Sequence, residues 1–135
     1  MQGIKDIIEI LRLCRERGIL LAYDNPYAEV TFDGYRAPSI FEIDGAREVA
    51  LEFHSVSKSF SMTGWRVGWM VVPEDHVRTV ERLAQNMFIC APHASQVAAL
   101  AAFDCIDELE ANRAVYARNR DLFDQGKKNA PCIIF

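Results

Sequence analysis

Lys58 sits in a run of small hydroxyl side chains, Ser55-Val56-Ser57-Lys58-Ser59, and Arg66 follows eight positions later. A lysine amine can form a Schiff base with a carbonyl compound. Ser55, Ser57 and Arg66 can receive a phosphate through neutral and charge-assisted hydrogen bonds. Together they make a site for a phosphorylated carbonyl compound, against the plainer alternative of a surface lysine in a serine-rich loop. Asp24 and Tyr27, three residues apart, form a second candidate pair. Taken alone, Asp24 is a turn or cap residue and Tyr27 a packing residue. His54 could relay a proton, but a histidine beside a site is more often structural, and it stays outside the catalytic set.

These side chains need a scaffold. Ile4, Ile7, Ile8, Leu11 and Cys14 follow one helical face, and Gly18 ends that helix. Ile19 to Tyr23 is a continuous apolar run, expected as a parallel strand covered on both faces. It would deliver Asp24 at its carboxyl end, where ligands gather in such sheets. Residues 29–48 read as loop with a solvated acidic surface, punctuated by Gly34, Pro38 and Gly45. Glu48 to His54 reads as the next strand and hands the chain to Lys58. Val67 to Val72 reads as another, reached without an intervening helix, so a hairpin-like step with one antiparallel strand is expected.

Beyond Pro73 the spacing predicts a helix with Val77, Val80, Leu83, Ala84 and Met87 on its apolar face and acids in its first turn. Ala94 to Phe103 is apolar on nearly all sides and is expected to be a buried helix. Leu109, Asn112, Tyr116, Asn119 and Phe123 then mark a long helix, with Arg113, Arg118, Arg120 and Asp121 off the stripe.

Half of the 135 residues are hydrophobic, enough for a real core, and the net charge of -4 argues against a nucleic-acid partner. Cys14, Cys90, Cys105 and Cys132 lack zinc spacing or a disulfide framework and are expected to be reduced and mostly buried. No signal peptide or membrane span is expected, since Lys5, Asp6, Glu9 and Arg12 interrupt the first apolar stretch. A cytoplasmic protein is the default expectation.

The stretch Ser55 to Gly68 resembles the cofactor-attachment pattern of the class I/II aminotransferases, which belong to the fold-type I pyridoxal 5'-phosphate (PLP) enzymes. The small residues before the lysine, the lysine and the closing Arg66-Val67-Gly68 all match. Tyr23-Asp24-Asn25-Pro26-Tyr27 is similar to the family's Asp-x-x-Tyr. Both segments look like the branch that contains LL-diaminopimelate, alanine and aspartate aminotransferases.

The resemblance implies an α/β fold: part of the large PLP-binding domain, a mostly parallel sheet flanked by helices, truncated. Residues 1–105 would form the second half of that domain, 106–125 a connecting helix, and 126–135 the start of a missing or divergent small domain. It implies Lys58 as the catalytic lysine that carries PLP. Asp24 would pair with the pyridine nitrogen, Tyr27 with the 3'-oxygen, and Ser55, Ser57 and Arg66 with the phosphate. A carboxylate on the ring nitrogen keeps it protonated and so makes the ring an electron sink. The implied reaction moves an amino group between an amino acid and a 2-oxo acid with ping-pong kinetics, and the exposed strand edges and apolar face of half a sheet favour a homodimer or higher oligomer, or a missing partner segment.

The family's N-terminal glycine-rich phosphate turn, its ring-stacking aromatic, the asparagine that supports the 3'-oxygen and its C-terminal carboxylate-binding arginine have no counterpart here, which implies a truncated product or a cut piece. Two alternatives stay open. One is another PLP reaction on this scaffold, such as a carbon-sulfur lyase or a racemase. The other is an inactive remnant that folds without cofactor.

Overall fold

The computed structural model describes residues 2–129. Helix α1 (Gln2–Arg17) buries Leu11 and Cys14 and partly buries Ile7, as its apolar spacing requires. Gly18 ends it in the left-handed region at φ 63°. Its N–H donates to the Arg15 carbonyl and that of Ile19 to the Cys14 carbonyl, a Schellman closure that satisfies two of the helix's last carbonyls.

Three strands follow in the spatial order β1 (Leu21–Asp24), β2 (Ala50–Ser55), β3 (Gly68–Val71). β1 and β2 are parallel, with Asp24 opposite Phe53. β2 and β3 are antiparallel, with Ser55 opposite Gly68, so the antiparallel step expected from the sequence is present. Side chains alternate across a sheet. Leu21, Tyr23 and Ala50 therefore share one face, and they pack with Leu11, Ile40 and Ala46 into the core. The opposite face is not closed at β1: Ala22 and Asp24 are exposed there, and Ile19 and Leu20 just before them are about half exposed. The expectation of a strand covered on both faces is corrected to one covered on a single face. An apolar run reports that a strand can be buried and not what lies over it.

Residues 29–48 are loop, as expected, with two 3-10 turns at Ile40–Glu42 and Ala46–Glu48. Ser39 starts the first with a capping box. Its hydroxyl accepts from the Phe41 N–H, and the Glu42 carboxylate accepts from the Ser39 N–H. Ile40 is thereby fixed at the centre of the core, 1% exposed.

The chain turns from β2 into a single helical turn, α2 (Val56–Ser59), and α3 (Glu74–Met87) follows β3. α4 (His93–Ala102) buries Ser95, Ala99 and Ala102, while Val97 and Leu100 are 54% and 70% exposed. The expected wholly buried helix is thus buried along one side only. α5 (Ile106–Asn129) starts where the connecting helix was expected and continues past residue 125.

Phe103 links these parts, meeting Phe60 and Trp69 edge-on at 5.7 and 5.6 Å, while Trp69 stacks on His54. Of the cysteines, Cys14 is buried, Cys105 partly so and Cys90 exposed, all as free thiols. The expectation that most are buried holds for Cys14, fails for Cys90, and for Cys132 lies outside the described residues. No described helix is long and apolar enough to cross a membrane.

Candidate active site

The parallel pair β1 and β2 ends where β3 begins, so Asp24, the Ser55 to Lys58 turn and Arg66 come to one end of the sheet. That is the end at which open α/β sheets bind ligands. Two local devices shape it. Ser55 leaves β2 as the N-cap of α2, its hydroxyl accepting from the Ser57 N–H at 3.1 Å. The same hydroxyl lies 2.8 Å from Ser57 Oγ and 3.2 Å from the Val67 carbonyl, which ties the lysine turn to the strand that returns. Gly68 makes this closeness possible, because a Cβ there would lie 2.7 Å from the His54 carbonyl oxygen.

Lys58 reaches into a cavity of about 370 Å³, a size suited to a small cofactor or substrate. Tyr27, Ser57, Ser61, Thr63 and Tyr116 share its wall. The Lys58 ammonium stands 5.6 Å from the centre of the Tyr27 ring, a cation-π contact. Thr63 donates its hydroxyl to the Ser57 carbonyl, and Arg66 donates to the Thr63 carbonyl, so α2 and the 3-10 turn Thr63–Trp65 are bound into one unit. Ser61 and Arg66 flank that turn with φ of 54° and 57°. Left-handed backbone at non-glycine residues persists only where its surroundings impose it, and such residues gather at functional sites.

The six residues singled out in the sequence separate into two groups. Lys58, Ser57 and Tyr27 share the cavity, with Ser55 hydrogen bonded to Ser57 behind its wall. Asp24 and Arg66 stand exposed at the same end of the sheet without lining that cavity. Asp24 has no hydrogen-bonding or ion-pairing side chain among the described residues. Ser61, Thr63 and Tyr116 were not predicted. Thr63 lies inside the motif run, and Tyr116 lies on the apolar stripe of the long helix, where spacing alone reads as packing. Its hydroxyl comes 3.3 Å from Ser61 Oγ, so α5 supplies one wall of the site.

A phosphorylated aldehyde fits this donor set: one amine inside the cavity, hydroxyls around it, and an exposed guanidinium and a carboxylate at the same end of the sheet. Similarity to known proteins points the same way. A family model described as "Aminotransferase class I and II" matches residues 4–134. A protein named LL-diaminopimelate aminotransferase 2 from Trichormus variabilis is 39% identical over 119 residues, which is 87% of this chain and 30% of that protein. An LL-diaminopimelate aminotransferase from Desulforudis audaxviator is 43% identical over 84% of this chain and 29% of its own length. The crystal structure of an aminotransferase from Mycobacterium tuberculosis superposes with a TM-score of 0.77 at 34% identity, over 87% of this chain and 32% of that one. The chain thus spans about 30% of the length of the curated relatives it matches. Within that span the fold agrees, and the chain belongs to the class I and II aminotransferase family.

Proposed function

We propose that this chain carries the cofactor-attachment part of a PLP-dependent aminotransferase that moves an amino group between an amino acid and a 2-oxo acid. The observation that carries the reading is Lys58, its amine in a cavity against Tyr27 and among hydroxyl groups, in a chain of this family. Lys58 would hold the cofactor covalently, Ser55, Ser57 and Arg66 would hold its phosphate, Asp24 its ring nitrogen and Tyr27 its 3'-oxygen. When bound, the cofactor supplies an electron sink for charge that develops at the substrate's α-carbon.

The chain's own residues supply the rest. Lys58 Nζ, once released, is the base that takes the proton from the substrate α-carbon. Tyr27 covers one side of that amine, and Thr63 and Ser57 keep the turn that bears it from shifting. Residues 1–105 would serve as part of the cofactor domain, 106–125 as the connecting helix and 126–135 as the opening of a small domain. The free thiols support a reducing, cytoplasmic setting. The exposed apolar side chains support a homodimer or higher oligomer. Diaminopimelate, named in the relatives, is the first amino donor to test.

The deciding experiment adds PLP to the purified chain, records the visible spectrum, reduces with borohydride and maps the labelled lysine by mass spectrometry. Label on Lys58 alone, absent in Lys58→Ala, is the expected result. Label scattered over several lysines, or none, defeats the reading for this chain.

A further inference from the structure

Glu52 is the one acidic residue in the interior among the described residues, 0% exposed in the middle of β2. An isolated buried carboxylate is costly unless hydrogen bonds compensate it. Both of its oxygens are engaged. Oε1 accepts from Asn25 Nδ2 at 2.9 Å, and Oε2 accepts from the Ser39 hydroxyl at 2.5 Å. His54 Nε2 lies 3.5 Å from Oε1. No arginine is spent on it. Arg36 and Arg113, which line the cavity beside it, are paired with Glu42 and with Glu110. The carboxylate is therefore held mainly by neutral donors whose directions it fixes.

Those donors matter for where they stand in the chain. Asn25 lies between Asp24 and Tyr27. Its N–H donates to the Phe53 carbonyl and its side chain to Glu52, so this turn is bound to β2 through both main chain and side chain. Tyr27, two residues on, is then presented against Lys58. Ser39 uses one hydroxyl both to cap the turn that buries Ile40 and to donate to Glu52. We propose that Glu52 is a positioning residue for the Lys58 site: through Asn25 it sets the Asp24 to Tyr27 turn, and with it the placement of Tyr27 on the lysine. The part of this that concerns cofactor binding rests on the function proposed above.

The test compares Glu52→Gln, Glu52→Ala and Asn25→Ala in the full chain. Gln keeps the shape and can accept from Asn25 while donating to Ser39, Ala removes both bonds, and Asn25→Ala cuts the same link from its other end together with a longer one, 3.4 Å, to the Pro38 carbonyl. The first readout needs no cofactor. Lysines are dimethylated with ¹³C-formaldehyde and a borane reductant, the Lys58 signal is assigned with Lys58→Arg, and its ring-current displacement is defined by loss in Tyr27→Leu. The expected result is a displacement kept in Glu52→Gln and lost in Glu52→Ala and in Asn25→Ala. Thermal melts check that each variant folds, and Asn25→Ala, which leaves the core strand untouched, decides the matter if Glu52→Ala does not fold.

The second readout is PLP bound at Lys58, expected to weaken about tenfold or more in Asn25→Ala and to stay near wild type in Glu52→Gln, the scale of losing a hydrogen bond to a charged group. A folded Asn25→Ala that keeps the ring-current displacement overturns the proposal and leaves Glu52 a core residue only. Absence of PLP label in the wild-type chain would instead defeat the proposed function, while the cofactor-free signal would still decide the positioning role.

Discussion

Gly68 and Asp24 show how differently two residues at one end of a sheet can be constrained. A methyl group on Gly68 would press on the main chain of β2, which cannot move without shifting the lysine turn. Gly68→Ala is expected to cost about 1–3 kcal/mol of stability, the range for forced overpacking, measured as a lowered melting temperature. Asp24 is the reverse case, exposed and without a side-chain partner. Asp24→Ala should leave stability within about 0.5 kcal/mol, as for most surface changes. It should still weaken retention of PLP if its carboxylate serves the ring nitrogen. A melt that falls along with retention would assign Asp24 to the fold instead.

Helix α5 is joined to the loop after β1 by polar contacts from well-separated positions. Arg113 donates to the Thr31 carbonyl, and Arg120 pairs with Asp33 at 2.6 Å while lying over the Phe32 ring. The hydrogen bond from Arg120 lowers the Asp33 pKa below the ordinary aspartate value. A carboxyl whose pKa is depressed on folding adds stability that is full above its unfolded value and fades as pH falls through the folded one. The hold on α5 should therefore weaken below about pH 4. Hydrogen-exchange protection factors along α5, corrected for the intrinsic rate at each pH, should fall there in the wild type and fall less in Asp33→Asn.

The sequence made α5 itself legible but mistook its packed side. Leu109 is buried as its spacing indicates, yet Arg113 and Arg120, placed off the stripe, are what meet the loop. Counting apolar residues misses long cationic side chains that lie along a surface and reach a carbonyl or carboxylate at the end. The lysine turn was legible for the opposite reason. Its hydroxyls, glycine and arginine each meet a local demand for a cap, a close approach or a bend, and local demands leave marks in the sequence. Glu52 was not legible, because its partners Asn25 and Ser39 lie 27 and 13 residues away and no spacing rule links them.

Across the whole molecule, one core is filled and other apolar surface is left open. Leu83, Met87, Phe88, Ile89, Val97 and Leu100 are all more than half exposed on or beside α3 and α4. Apolar surface on this scale favours association. The purified chain is expected to self-associate as concentration rises in sedimentation experiments, and a Val97→Lys, Leu100→Glu double variant should shift it toward monomer with its melt little changed. The length of α5 gives the site a mechanical property as well. Its 24 residues make a rod of about 36 Å, on which Tyr116 lies about 10 Å beyond the buried Leu109. With the Arg113 and Arg120 ties released, a swing of about 10° about Leu109 would carry the far end roughly 4–6 Å and Tyr116 about 2 Å, enough to part its hydroxyl from Ser61. Loss of those ties would therefore gear the far end of the rod to one wall of the lysine cavity, at about a third of its own travel.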